Sequence, residues 1–143
     1  MNQVSQQDNQ EPVTAYIKPW ARGILVLAGI YNAVWGLLIY FFPEPYFTWL
    51  SKGVLLDYHP LVKWQGLGVL LLGMLLLVGG FGTAKRWWVP AVALGLKVLG
   101  AGLVFALLMD FNMTRSYLFQ LIMSDLVWVL PLYLCMRQYR AAL

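Results

Sequence analysis

Four long runs of apolar residues dominate the sequence: 23–42, 61–81, 87–109 and 115–136. A bilayer core takes about 20 apolar residues of helix to cross. Each run has that length, and inside lipid only helices and closed barrels satisfy their own backbone. The runs lack the period-two alternation of barrel strands, so they predict helices. Only 11% of the residues are charged and 61% are hydrophobic. A soluble domain is about 25% charged, and a chain this poor in charge lacks the polar residues to cover a water-facing surface. The expectation is an all-α integral membrane protein: a four-helix antiparallel bundle of the left-handed type.

The segments between the runs fit that layout. Residues 1–15 form a polar Gln/Asn-rich stretch without the basic start and apolar centre of a signal peptide, so they predict a flexible tail ahead of a retained first span. The transmembrane domain then covers 16–143. Pro43 and Pro45 end the first span. Between them and the second span, Tyr46, Phe47, Trp49 and Leu50 fall on one helical face, which predicts a short interfacial helix in the first outer loop. A turn follows at Asp57-Tyr58-His59-Pro60. Thr83–Arg86 and Asp110–Thr114 are short connections, and the first makes the second and third spans antiparallel neighbours.

Charge sets the orientation. Lys18, Arg22, Lys85, Arg86, Arg137 and Arg140 fall on the side of the termini, against Lys52, Lys63 and Arg115 opposite. The positive-inside rule places both termini in the cytoplasm, with the inner membrane as the location. Trp20, Trp87 and Trp88 mark one interface, and Trp49 and Trp64 the other. The net charge of +4 is spread along the flanks of apolar runs, which points to the bilayer as partner and away from nucleic acid.

Two charges lie inside spans. Lys97 and Asp125 each stand about ten residues into a run, near the bilayer centre at about 1.5 Å per residue. Each costs about 2.5–3.5 kcal/mol to insert, and pairing inside the bundle offsets that cost best. Ala93, Gly100 and Ala101 share a face with Lys97; Ala28, Gly29 and Gly36 share one with Asn32; Gly68 and Gly73 share one with Gln65. Small residues mark helix contacts in membranes. The candidate site is therefore a buried polar cluster of Asn32, Gln65, Lys97 and Asp125, one residue from each span. Trp35, Trp64, Trp128 and Pro131 are its expected walls. Pro131 has no N–H to give the carbonyl of Val127, which favours a kink beside the acid. The cluster reads either as packing glue or as a site for a proton, an ion or a small polar head group.

Other chemistry finds few residues. Cys135 is the only cysteine and reads as a packing residue. His59 is the only histidine, too few ligands for haem or zinc. The glycines at 66, 68, 73, 79, 80 and 82 read as helix contacts, with no phosphate-loop signature around them. No catalytic residue, metal site or required cofactor is expected, and the reading leans away from an enzyme.

One pattern runs through the spans: Tyr31-Asn32-x-x-Trp35-Gly36 leading to Phe42-Pro43, Trp64-Gln65-x-x-Gly68, Trp88-x-Pro90 with Gly95-x-Lys97, and Ser124-Asp125-x-x-Trp128-x-x-Pro131. It resembles a family of small bacterial four-span membrane proteins of unassigned role, over about 24–136. Some members carry an alkyl hydroperoxide reductase label, which a lone cysteine does not support. The architecture is also similar to DoxX-like proteins, which implies a quinone-linked redox subunit with quinone as its cofactor. Three functions follow as expectations. The first is an accessory or assembly partner of a membrane complex, binding another membrane protein or a second copy of itself. The second is proton or small-ion transport through the polar cluster, and the third is the quinone-linked role.

Overall fold

The computed structural model describes residues 16–51, 61–109 and 115–143, with the side chains of 51, 61, 84 and 103–109 outside the description. The expected tail, the Asp57–Pro60 turn with His59, and the Asp110–Thr114 connection lie outside the described residues. Among those described, every regular element is helical.

Helix α1 spans Pro19–Phe41. It begins four residues before the apolar run because Pro19 sits in the first turn, where its missing N–H costs nothing. Phe42 closes it, and α2 follows at once over Pro43–Ser51, again opened by a proline. Helix α3 is Leu61–Gly80, and a single 3₁₀ turn, Ala84–Arg86, leads to α4 at Trp88–Met109. The last run is one continuous helical stretch in three parts: α5 at Arg115–Leu121, a π turn at Ile122–Leu126, and α6 at Val127–Ala141. It continues five residues past the apolar run, because Tyr139 and Ala142 still face the core while Arg137 and Arg140 point out. Three helical stretches are long and apolar enough to cross a membrane: Pro19–Phe41, Val62–Gly80 and Arg115–Ala141.

The closest packing joins α1 to α3 and runs antiparallel. A Cβ added at Gly66 would meet the Tyr40 backbone at 2.7 Å, and one at Gly36 would collide with the backbone of Leu70. Further along, one at Gly73 would collide with Ala33, one at Gly29 would meet Leu77 at 2.7 Å, and one at Gly80 would meet Val26 at 2.7 Å. Glycine at these places lets the two backbones touch, and contact area replaces the hydrophobic drive that lipid removes. Gly68 has nothing within 4 Å of a Cβ, so it is not one of the expected contact glycines. It lies outside the 4-3-4 spacing of Gly66, Leu70, Gly73 and Leu77 that forms the seam.

The apolar core sits at one end of the bundle. Ile17, Ala21, Leu25 and Ala28 of the α1 end meet Leu76, Ala93, Leu132, Cys135 and Tyr139 there. Its polar atoms are paired: Cys135 Sγ donates to the Ala21 carbonyl at 3.4 Å and Tyr139 Oη to the Gly79 carbonyl at 3.0 Å. Arg86 donates to the Val78 carbonyl at 2.9 Å and so caps the open end of α3. Arg140 lies over the Trp87 ring at this same end.

Candidate functional site

Above this core, α1, α4 and the π turn bring three of the expected cluster residues together. Lys97 is 3% exposed and Asn32 is 1% exposed. The Lys97 Nζ donates to Asn32 Oδ1 at 2.8 Å and to the Ser124 carbonyl at 2.7 Å, and pairs with Asp125 Oδ1 at 3.2 Å. An ammonium carries three N–H donors, and three oxygens meet them. Asn32 is itself oriented, its Nδ2 donating back to the Ala28 carbonyl at 2.7 Å. A buried charge is tolerable when paired and fully hydrogen-bonded, and Lys97 meets both conditions.

Ser124 lies within the π turn. The Val127 N–H reaches back five residues, to the Ile122 carbonyl. Such turns are frequent at functional sites. Pro131 lies inside α6 just beyond and withholds a further N–H. The main-chain oxygen of Ser124 was not foreseeable from sequence, since every residue type carries one.

Asp125 differs from its partners. Its side chain is 20% exposed and lines a small cavity with Tyr46, Gln65, Tyr117, Gln120, Leu121 and Ser124. The cavity holds about 40 Å³, room for about two or three waters. Almost every wall residue carries a hydrogen-bonding group. Asp125 therefore bridges a sealed ammonium on one side and a water-sized polar space on the other.

Gln65 departs from expectation. It is exposed and joins the others only as a cavity wall, with no bond to Asn32, Lys97 or Asp125. The reason is helix phase: Gly66 takes the tight contact with α1, which turns the preceding residue outward by about 100°. Trp64 is 67% exposed and does not wall the cluster, for the same reason. Trp35 and Trp128 both pack on Tyr31. Tyr31 stacks on Trp35 with centroids 6.5 Å apart and meets Trp128 at 5.5 Å. Trp35 also meets Tyr46 of α2 edge-on at 6.2 Å.

Tyr46, Tyr117 and Gln120 are site residues that the sequence reading missed. Tyr46 was absorbed by the interfacial-helix pattern, and the other two look like ordinary polar flanks of the last span. Burial, helped by neighbouring Tyr117, Asp125 and Tyr31, pushes the Tyr46 phenol well above its ordinary value, so it stays protonated near neutral pH.

Among the described residues, no group of three or more His, Cys, Asp and Glu is placed to hold a metal ion. No protein-family model, curated protein or solved structure matches the chain.

Proposed function

We propose that the chain is a four-span membrane protein of the bacterial inner membrane that exchanges and moves protons at Asp125. The observation behind this is the position of that carboxylate between the satisfied Lys97 ammonium and the polar cavity. An intramembrane acid facing water is a functional candidate by default. Lys97 occupies the place a metal cation would need and repels one, so the exchangeable ion is the proton. Asp125 takes it from cavity water and thereby loosens Lys97, and releasing it restores the pair. In this reading α4 supplies the fourth span, α2 lies in the outer interface, and both termini face the cytoplasm. The cavity then opens outward and the apolar core seals the inner side.

The test is proton flux in liposomes. Wild-type protein should dissipate an imposed pH gradient, and Asp125→Asn should slow this at least about tenfold. Absence of wild-type flux, or unchanged flux in the variant, would sink the proposal.

A second reading, the accessory partner, has its own support. A Cβ at Gly95, Gly100 or Gly102 of α4 meets nothing within 4 Å, so this helix carries small residues on open surface. The same residue type lets α1 and α3 touch. Gly95→Cys should then crosslink to a partner or a second copy in membranes; no crosslink would remove this reading. The polar cavity at Asp125, at about 40 Å³, is too small to hold a quinone by itself, small-molecule sites being roughly 300–1,000 Å³.

A further inference from the structure

The elbow between α1 and α2 holds an open cavity of about 320 Å³, lined by residues 40–45 and by Lys63 of α3. Small-molecule sites run from roughly 300 to 1,000 Å³. Two opposite charges share this cavity, Glu44 and Lys63, and both are exposed. They do not pair with each other, and neither has an ion-pair partner among the described residues. Lys63 is held in place all the same, its Nζ 4.9 Å from the centroid of the Tyr40 ring. A ring face is not a hydrogen-bond oxygen, so the ammonium donors remain open to an acceptor.

The main chain adds the opposite pole. In a helix each carbonyl accepts from the N–H four residues on. The carbonyls of Leu38 and Phe42 find such donors in Phe42 and Tyr46. Those of Ile39 and Phe41 would need residues 43 and 45, and both are prolines with no N–H to give. They stand at the C-terminal end of α1, where the helix dipole is negative. Thus α1 and α2 bring unmet acceptors and a carboxylate to the elbow, and α3 brings a cation.

We infer that the elbow binds the head of an amino phospholipid, a phosphate diester carrying a primary ammonium. The phosphate takes the donors of Lys63, and the ammonium donates to Glu44 and to the Phe41 carbonyl. Phe41 and Phe42, 66% and 59% exposed, meet the acyl chains. The height fits, because α1 has by then run 23 residues, more than the roughly 20 that cross the hydrocarbon core. The pairing of charges decides the class. A glycerol head is a plain anion and leaves Glu44 and the carbonyls unmet. A choline head is a cation with no N–H to give them. This inference needs only that α1 crosses the bilayer, and it stands whether or not Asp125 moves protons.

The experiment reconstitutes the full chain in liposomes of equal parts phosphatidylethanolamine, phosphatidylcholine and phosphatidylglycerol. Gentle extraction and native mass spectrometry then count the lipids retained. The ethanolamine lipid should exceed each of the others by about tenfold, the value of one charge-assisted hydrogen bond. Glu44→Gln should remove that preference, and Lys63→Gln should lower retention of the ethanolamine and glycerol lipids alike. Glu44→Lys should turn the preference toward the glycerol lipid, a reversal that a damaged fold does not produce. All three changes fall at exposed positions. Equal retention of the three lipids, or an ethanolamine preference that survives Glu44→Gln, would overturn the inference. Displacement by soluble O-phosphoethanolamine without any preference among the lipids would overturn it too, and assign the elbow to the free molecule. Asp125→Asn separates this site from the proton reading, because it should slow flux and leave lipid retention unchanged.

Discussion

Lys97 has three protons to give, and each ends on an oxygen from a different source: an amide, a main-chain carbonyl and a carboxylate. That arrangement makes the two ends of the ion pair unequal. Lys97→Met removes the cation and leaves Asp125, Asn32 Oδ1 and the Ser124 carbonyl without their donor. Breaking a buried pair from one side costs about 3–5 kcal/mol, and this variant should show a loss of that order in thermal unfolding. Replacing both partners with apolar residues removes the stranded charge. The double variant Lys97→Met with Asp125→Leu should therefore recover most of the loss, and a double variant no more stable than Lys97→Met alone would contradict the pairing. Two members of this site were legible in the sequence because a formal charge inside an apolar run stands out. Asn32 was legible through the small residues on its face. The Ser124 carbonyl and Tyr46 were not. A backbone oxygen leaves no mark on residue identity, and Tyr46 reaches the site only because α2 folds back after Pro43.

Along the helices, spacing carries the argument. The seam between α1 and α3 depends on a side chain being absent at Gly29, Gly36, Gly66 and Gly73. Gly36→Ala or Gly73→Ala must push the two backbones apart, and each should lower the unfolding midpoint. Gly68→Ala is the internal control. Its Cβ meets nothing, and alanine is about 1 kcal/mol better than glycine within a helix. It should leave the midpoint unchanged or raise it, and equal losses at 36, 68 and 73 would refute the seam. The lengths of the long helices were readable from their apolar runs, to within a few residues at each end. The partner choice was less so: a short connection suggested close neighbours in α3 and α4, whereas the closest approach is between α1 and α3. Glycine patterns say that a helix will be approached, not by which neighbour. The π turn was invisible too, because no residue of Ile-Met-Ser-Asp-Leu favours a π register over an α one.

At the scale of the molecule, the bundle is polarised. One end gathers the first turns of α1 and α4 and the last turns of α3 and α6, closed by the apolar core and by Arg86 and Arg140. The other end holds Tyr117, Gln120 and the polar cavity. Arg22, Lys85, Arg86, Arg137 and Arg140 all belong to the closed end by their place in the chain. In the proposed topology, basic residues flanking short loops hold that end in the cytoplasm. A fluorescent protein fused after Leu143 should therefore fold and glow, while alkaline phosphatase at the same point should stay inactive. Phosphatase inserted within 52–60 should be active. Replacing Lys85, Arg86, Arg137 and Arg140 with glutamine leaves Lys18 and Arg22 against Lys52, Lys63 and Arg115 and so abolishes the bias, and the C-terminal reporters should then split between the two sides. A phosphatase active at both sites in the parent chain would imply an odd number of crossings, and α4 would then lie outside the bilayer.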